Sequence, residues 1–462
     1  MTPSSSSRYF AQRTERTERT DRAGCGRVVG SIRPRASELV TLDTTLDRGG
    51  CVEVNDQPHI ALHSNDRVPQ TVALMVVLAA AMVGTTVPTS LYTEYGRVFG
   101  FSLLVVTVVY SMYAAGVLVA LVAFGTWSDV LGRRPVLGLG VGFAAASDVA
   151  FLVAGNTTAL LVARFISGLS AGVFISAGSI AIIEMARGRI AARAPLLATL
   201  STVGGLGVGP ILAAVMVTCA PQPLRTIYWV HLALMAIAAA LVLAVPETRP
   251  RQRDEHLGVM TLNVPSEVRD FFIRASLLGF AGFAVMGLFA SLAPTIAAQF
   301  AGVTSVIGKA LLAATIMGGS LIGQLAGRTL SDRGSEVIAI ALMLLGMLLL
   351  VATFHYGHYS LLAASGLIGG CGQGVAFARG LSGIAAGAPP SHKAGTTSAY
   401  FFITYIAISV PVVAEGFLVK ALGVRTAGTI FACVVSALAL IAGVLIWLEH
   451  IHEDHVHEGS IS

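Results

Sequence analysis

Charged residues are scarce in this sequence. Only 12% of its 462 residues are Asp, Glu, Lys or Arg, whereas 55% are hydrophobic. Soluble globular chains carry about 25% charged residues, so this chain has too few to cover a water-exposed surface. The mean hydropathy of +0.76 and the 50 glycines are typical of a chain that lipid largely surrounds. The composition therefore excludes an ordinary soluble protein.

Paired cysteines, phosphate-binding loops and catalytic sets are also missing. The cysteines have no CxxC or other paired spacing, which indicates neither a disulfide framework nor a zinc site; they are Cys25, Cys51, Cys219, Cys371 and Cys433. The glycine clusters Gly138–Gly142 and Gly369–Gly374 lie inside apolar runs, not between a strand and a helix, and so predict helix packing. We therefore expect no enzyme activity, no cofactor and no nucleic-acid partner.

The first 69 residues differ from the remainder. Met1–Ser7 is rich in serine, and Arg13–Arg22 alternates charges without an apolar face. Such a segment buries too little apolar surface to offset its chain entropy, which predicts a disordered cytoplasmic extension over residues 1–69. It lacks the apolar stretch of a secretory signal peptide. A regulatory tail and a start codon assigned upstream of the true one are both compatible with it.

Long apolar runs alternate with short polar breaks from Thr71 onward. A membrane-spanning helix needs about 20 residues. The candidate helices are residues 71–91, 101–126, 135–154, 158–183, 194–218, 226–245, 271–298, 304–326, 336–354, 359–385, 395–419 and 425–448. The predicted fold class is an all-α membrane protein with twelve transmembrane helices.

The positive charges of the connecting segments predict the orientation. Breaks after even-numbered helices carry thirteen Lys or Arg residues, and breaks after odd-numbered helices carry five. Short loops rich in Lys and Arg stay in the cytoplasm. We therefore expect a multi-pass protein of a bacterial-type inner cell membrane with both termini in the cytoplasm.

An internal repeat divides the chain into similar parts. We expect an N-terminal six-helix half over 70–249, a cytoplasmic linker over 250–269 and a C-terminal half over 270–449. Ser128–Asp129 and Ser331–Asp332 occupy similar offsets in the two halves, as do Pro210 and Pro411. These correspondences predict two six-helix pseudo-repeats of parallel orientation.

The break between helices two and three carries the most specific motif, GTWSDVLGRRPVL from Gly125 to Leu137. It resembles the signature loop of the major facilitator superfamily (MFS) of transporters. The resemblance implies a conformational latch in which Asp129 contacts the start of helix eleven, near Gly395–Ser398, and stabilises the outward-open state. The latch residues are Gly125, Asp129, Gly132, Arg133 and Arg134. A positively charged topology determinant is the alternative.

Three further segments resemble family patterns. The loop Gly327–Gly334 repeats the latch with Asp332 and Arg333, but lacks the following arginine pair.

Arg164 interrupts apolar helix four, where the family pattern links an arginine to proton transfer; snorkelling to the outer interface is the alternative. Helix five resembles the motif of twelve-helix drug:proton antiporters through three residues, Gly205, Gly209 and Pro210. That motif departs from the family at Leu196 and Ala213–Ala214, and plain helix packing also accounts for its glycines.

Coupling to protons requires an ionisable group within the membrane. The candidates are Asp148, His231 and Glu415, all predicted near the outer ends of their helices. No aspartate lies between Thr71 and Ser90, so the helix-one aspartate of fourteen-helix drug exporters has no counterpart. The few polar residues of the expected cavity favour a hydrophobic or amphipathic substrate; they are Tyr110, Tyr113, Gln324, Gln373, Tyr400 and Tyr405.

The polar tail over residues 450–462 contains four histidines. Imidazole and carboxylate groups suit nickel, zinc or copper. The tail is therefore a candidate metal site, with His450, His452, His455 and His457 as the candidate ligands. The resemblance favours a monomeric secondary transporter that exports drugs or hydrophobic metabolites, a multidrug efflux function, with protons as the coupling ion. A nickel or cobalt exporter and a metabolite uptake facilitator are the alternatives.

Overall fold

The computed structural model describes residues 67–249, 258, 260, 262–390 and 392–459, and every regular element in this part of the chain is helical. The α-helices, in chain order, are α1 (Val68–Phe99), α2 (Leu103–Phe124), α3 (Trp127–Val130), α4 (Arg133–Leu152), α5 (Thr157–Met185), α6 (Ala194–Cys219), α7 (Pro223–Ala244), α8 (Arg269–Ser291), α9 (Ala293–Phe300), α10 (Val306–Ala326), α11 (Asp332–Tyr356), α12 (Tyr359–Gly387), α13 (Lys393–Ala407), α14 (Val410–Leu422) and α15 (Val424–Gly459). Short 3₁₀ helices precede α6 and α8, at Gly188–Arg193 and Ser266–Val268.

Twelve spans in the described residues are long and apolar enough to cross a membrane, as the sequence predicted. Two predicted helices are interrupted. The run 271–298 divides into α8 and α9 at Leu292, and the run 395–419 divides into α13 and α14 at Ile408–Ser409. Pro294 and Pro411 stand in the first turns of α9 and α14. Proline lacks the N–H that would continue the preceding helix, which explains both breaks.

Close helix pairs recur at equivalent places in the two halves. A Cβ atom added to Gly116 of α2 would lie 2.1 Å from the Phe165 carbonyl oxygen of α5. One added to Gly319 of α10 would lie 2.1 Å from the Leu367 carbonyl oxygen of α12. These pairs are the second and fourth spans of each half, and only glycine allows the backbones to approach so closely. The predicted pseudo-repeat of two six-helix halves is therefore confirmed.

The halves meet at both ends of the molecule. We call the end that carries the α7–α8 linker the linker face and the opposite end the far face. Toward the far face, a Cβ added to Gly416 of α14 would lie 2.2 Å from Thr107 Oγ1 of α2. Nearer the middle of the same spans, the Ser111 hydroxyl is 3.2 Å from the Ser409 carbonyl oxygen. At the linker face, the Arg328 guanidinium donates to the Pro195 carbonyl and the Thr199 hydroxyl, both at 3.2 Å. Contacts between the halves thus occur toward both faces.

The described part of the linker lies between α2 and α13. The Met260 N–H donates to the Val122 carbonyl at 3.0 Å, and Thr126 Oγ1 donates to the Gly258 carbonyl at 2.8 Å. On the other side, Thr396 Oγ1 donates to the Asn263 carbonyl at 3.0 Å. The linker backbone therefore bridges the linker-face ends of the two halves.

Three sequence predictions fall outside what the structure describes. Residues 1–66, most of the predicted extension, and much of the linker are not among the described residues. The side chains of Asp332 and Arg333 are likewise outside them, although α11 begins there and Ser331 caps it by accepting from the Gly334 N–H. The backbone of α15 runs through the histidine tail to Gly459, but the tail side chains are not described.

Candidate functional site

Arg164 is buried among aromatic rings inside the bundle. Its side chain is fully enclosed, and Nη1 donates to the Thr85 carbonyl of α1 at 2.7 Å. Its guanidinium carbon lies 4.9 Å from the ring centroid of Tyr113 and 5.9 Å from that of Tyr110. A cation held over aromatic faces is stabilised by their quadrupoles. The position excludes snorkelling to the outer interface, because the side chain does not reach the surface.

The aromatic residues continue across the boundary between the halves. The Tyr113 and Tyr405 ring centroids are 6.4 Å apart, and Phe283 lies 6.4 Å from Tyr405. Phe283 also contacts Phe377 at 5.3 Å. We call this set the central cluster; it comprises Tyr110, Tyr113, Arg164, Phe283, Phe377, Tyr400 and Tyr405. Its side chains, mostly apolar with a few polar groups, are of the kinds that line small-molecule sites.

Several buried polar atoms in and near the central cluster have no hydrogen-bond partner. The atoms are Arg164 Nε and Tyr92 Oη in the first half, and Gln373 Oε1 and Tyr400 Oη in the second. Buried polar groups are nearly always hydrogen-bonded, so a group of unpaired atoms calls for an explanation. A polar molecule bound between the halves would provide partners for them.

A charged network occupies the linker face of the first half. The guanidinium of Arg133 binds the Glu184 carboxylate through two bonds, of 3.1 Å from Nε and 2.9 Å from Nη2. Asp129 Oδ1 accepts from Arg133 at 3.1 Å and from Arg249 at 2.7 Å. Two-point arginine–carboxylate pairs are among the stronger polar contacts in proteins and fix both partners in orientation. The network therefore joins α3, α4, α5 and the start of the linker.

Glu247 closes the network at the start of α4. Its carboxylate accepts from the backbone N–H groups of Arg133 at 2.8 Å and Arg134 at 3.0 Å, the position that the helix dipole favours for an anion. Gly132, at φ +95°, allows this approach, because an added Cβ would lie 2.7 Å from Glu247 Oε2. At Gly125, an added Cβ would lie 2.3 Å from the Leu121 carbonyl oxygen. Both latch glycines are required by close contacts.

The described ion pairs of Asp129 are with Arg133 and Arg249, and the expected contact with Gly395–Ser398 stays a prediction. The linker lies between the end of α2 and the start of α13. Sequence reasoning missed Glu184, Glu247 and Arg249. Glu184 had a signal, since it is the one acidic residue in the long apolar helix α5. Glu247 and Arg249 had no comparable signal, because both stand in the polar segment that follows the sixth apolar run.

The helix-five motif packs α6 against α1. An added Cβ at Gly205 would lie 2.6 Å from the Ala79 carbonyl oxygen, and one at Gly209 would lie 2.5 Å from that of Val83. Pro210 lacks the N–H that would bond the carbonyl of Leu206, and Thr86 Oγ1 of α1 donates to that carbonyl at 2.8 Å. The motif residues thus make an intimate helix contact within the first half.

Asp148 and His231 form a buried pair. His231 Nδ1 lies 2.7 Å from Asp148 Oδ2, and Nε2 lies 3.0 Å from the Ala80 carbonyl oxygen. Because the carbonyl only accepts, Nε2 carries a proton. Gly84 makes room for the ring, since an added Cβ would lie 2.1 Å from His231 Cε1. The structure joins two residues that the sequence identified separately, and it places them inside the first half, between α1, α4 and α7.

Glu415 is buried in α14, beside the contact of the two halves. Its side chain is only 2% exposed, and Oε2 has no hydrogen-bond partner. The neighbouring Gly416 packs against Thr107 of α2. Among the described residues, no group of three or more His, Cys, Asp or Glu side chains could hold a metal ion.

Comparisons with known proteins identify the fold. The family profile described as Major Facilitator Superfamily matches residues 72–410. A bacterial homologue of the human lysosomal transporter Spinster, inward-facing and unoccupied, has a TM-score of 0.64 and 15% identity, with 82% of this chain and 98% of that chain covered. A mutant of the nucleoside transporter NupG has a TM-score of 0.65 and 15% identity, with 81% and 99% covered. No curated protein matches the sequence.

The profile match spans most of the chain and includes the latch loop from Gly125 to Leu137. Twelve apolar helices in two similar halves agree with it, and the solved structures share this architecture. The chain is thus a multi-pass membrane protein and belongs to the Major Facilitator Superfamily.

Proposed function

We propose that this protein is a secondary active transporter that exports amphipathic small molecules in exchange for protons. The observation that carries the proposal is the central cluster, where a buried arginine and unpaired polar atoms lie among aromatic rings from both halves. Rocking of the two halves about such a site would expose it alternately to each side of the membrane. The site is formed within one chain, which supports a monomeric transporter.

The chemistry of the cluster supports a particular kind of substrate. Phe283, Phe377 and Tyr405 offer apolar faces, and Arg164 Nε offers a donor for an acceptor group. Gln373 Oε1 offers an acceptor. A planar or aromatic molecule with a few polar atoms would use all of these. Drugs and hydrophobic metabolites fit this description, as does a nucleoside, the substrate class in the name of one structural relative.

The charge distribution supports the orientation. The arginine-rich connections lie at the linker face, and short segments rich in Lys and Arg face the cytoplasm. We place the linker face and both termini in the cytoplasm of a bacterial-type cell. Export is favoured by the helix-five motif, whose Gly205, Gly209 and Pro210 resemble those of drug:proton antiporters. Uptake of a metabolite by facilitated diffusion is the competing function.

A panel efflux assay tests the proposal. Cells that express the protein are loaded with fluorescent dyes, antibiotics, labelled nucleosides, Ni²⁺ or Co²⁺, and efflux is followed with and without a protonophore. We expect efflux of at least one organic compound, and its loss when the proton gradient collapses. Efflux of metal alone would favour the histidine tail as a functional element. Uptake that ignores the protonophore would favour the facilitator.

A matched pair of variants ties the flux to the central cluster. Arg164→Leu removes the buried guanidinium, whereas Arg97→Leu removes an arginine on the surface, where it pairs with Glu94. We expect the first to abolish organic efflux and the second to leave it unchanged, at equal amounts of membrane-inserted protein. Equal flux from both variants would contradict the assignment of the site.

A further inference from the structure

Among the described residues, Glu415 is the buried acidic residue of a membrane-spanning helix whose carboxyl group has no hydrogen-bond or ion-pair partner. It lies in α14, and no hydrogen bond or ion pair joins its carboxyl group to another described residue. Asp148, the other buried membrane acid, has His231 as its partner. A buried polar group without a partner points to a ligand or to a changed charge state.

The surroundings of Glu415 determine its charge state. The helices packed against α14 are α2, α8, α13 and α15. Besides Glu415, the titratable residue of α14 is Lys420. Those of α2 are Tyr110 and Tyr113, those of α8 are Arg269, Asp270 and Arg274, and those of α13 are Lys393, Tyr400 and Tyr405. Those of α15 are Arg425, Cys433, Glu449, His450, His452, Glu453, Asp454, His455, His457 and Glu458. Arg425 stacks over Phe300, and Arg269, Asp270 and Arg274 lie at the linker-face end of α8. An isolated carboxylate in such an apolar place is strongly disfavoured, so the carboxyl holds its proton in this conformation.

The position of Glu415 couples that proton to the contact between the halves. Gly416, the next residue, packs on Thr107 of α2, and Ser409 accepts from Ser111 of α2 at 3.2 Å. Glu415 thus lies on the segment of α14 that faces the first half toward the far face. Separation of α2 from α14 would admit water to the carboxyl and allow it to ionise. Closure would bury it again and require the proton back.

We propose that Glu415 is a proton-binding site whose protonation closes the far face of the transporter. By linkage, a proton that must be bound for closure favours the closed state at low pH and the open state at high pH. The proposal rests on the proposed alternation of the two halves, but not on the identity of the substrate. If the far face is extracellular, the proton is taken up from outside as that face closes.

The test measures opening of the far face directly. Thr107 is fully buried in the closed contact, so Thr107→Cys serves as a reporter in a variant whose five native cysteines are serines. Maleimide labelling is followed from low to high pH in this background and with Glu415→Gln added. Because thiol ionisation affects both proteins alike, the ratio of their rates isolates the contribution of Glu415.

The ratio is the labelling rate of the protein with Glu415 divided by that of the protein with Glu415→Gln. We expect it to be near one at low pH and to rise at least about fivefold at high pH. The glutamine imitates the protonated acid, so only the protein with Glu415 should open as the pH rises. Glu415→Asp is expected to keep the rise, and Glu94→Gln, at the far-face end of α1, to leave it unchanged. A ratio that stays flat across the pH range, in protein with a normal gel-filtration profile, would overturn the proposal.

Transport of the substrate distinguishes this failure from failure of the function. Proton-coupled efflux that is unaltered by Glu415→Gln would contradict the proposal for Glu415 and would still support the proposed antiport function. A labelling ratio that rises with pH, in a protein that transports no organic compound, would support Glu415 as a proton-binding site and contradict the proposed function.

Discussion

Buried charge is the feature that dominates at the scale of single residues. Arg164, Asp148, His231 and Glu415 are all at most 3% exposed, in a chain with few charges to place. Each is treated differently: Arg164 is held by a carbonyl and aromatic faces, Asp148 and His231 by each other, and Glu415 by no described residue. Since burial of a charge is costly, these differences in compensation make Arg164 and Glu415 the residues to test for substrate binding and for proton binding, respectively.

The buried pair of Asp148 and His231 leads to a prediction about stability. Replacement of His231 by Ala leaves Asp148 buried without its partner, and breaking a buried pair costs about 3–5 kcal/mol. We expect a marked fall in the melting temperature of the purified protein in detergent. Gly84→Ala should also destabilise it, because the new methyl group would meet the His231 ring.

The double variant provides the control for that clash. With His231 already alanine, Gly84→Ala has no ring to meet, so its additional effect should be small. Melting temperatures that fall by the sum of the two single effects would contradict the contact between Gly84 and His231.

Arg164 makes a prediction about geometry as well as charge. Lysine keeps the positive charge but lacks the planar guanidinium that donates to Thr85 while it lies over Tyr113. We expect Arg164→Lys to reduce transport about tenfold or more, as loss of a hydrogen bond from a charged group implies. Initial rates in proteoliposomes check this. Full activity of the lysine variant would show that charge alone suffices.

The sequence predicted the identity of the charged residues better than their partners. Asp148 and His231 stand out because charge inside an apolar run is visible in one dimension, but their pairing joins α4 to α7 across 83 positions. The pairing of Asp129 with Arg249 was likewise not predicted from the sequence. Such pairings depend on where the chain turns after α7, which residue patterns do not encode. Glu415 was visible from sequence, yet its lack of a partner was not.

Glycine contacts determine packing at the scale of helices. Gly205 and Gly209 bring α6 against α1, and Gly319 brings α10 against α12. The interpretation of Gly369–Gly374 as packing agrees with these contacts, because Gly370 and Gly374 meet the carbonyls of Ile316 and Ser320. The length of the apolar runs predicted all twelve spans from the sequence. The breaks at Leu292 and Ile408–Ser409 were missed because a proline in an apolar run also occurs inside continuous helices, as Pro88 and Pro210 show.

Two glycines of α6 form a matched pair for a packing test. An added methyl group at Gly209 would meet the backbone of α1, whereas one at Gly204 would meet nothing within 4 Å. We expect Gly209→Ala to lower the melting temperature and the rate of transport. Gly204→Ala should be neutral or stabilising by up to about 1 kcal/mol, because alanine favours helix. Equal melting temperatures for the two variants would contradict the α1–α6 contact.

The charged network at the linker face makes a second prediction at this scale. Asp129→Asn weakens the contact with Arg249 and Arg133, so transport should fall while folding and membrane insertion remain largely intact. Arg249→Gln should impair transport similarly, and the double variant should be little worse than either single one, because the pair acts as a unit. Additive losses in a double-mutant cycle of initial rates would mean that the two residues act separately.

The whole molecule consists of two similar halves that touch at both ends around an aromatic centre. The halves contact each other through α2 and α14 toward the far face, and through α6, α10 and the linker between α2 and α13 at the linker face. Unpaired polar atoms among aromatic rings of both halves are suited to contact a small molecule. The central claim is that opening to one side or the other is driven by proton exchange.

The measurement that tests this claim most directly is proton movement driven by a substrate gradient. Purified protein is reconstituted into vesicles that contain a pH-sensitive dye, and an exported compound from the panel is added outside. Exchange predicts that protons leave the lumen as the compound enters, so the lumen becomes alkaline, and that empty vesicles show no change. Entry of the compound with no change in luminal pH would contradict proton exchange and identify a facilitator.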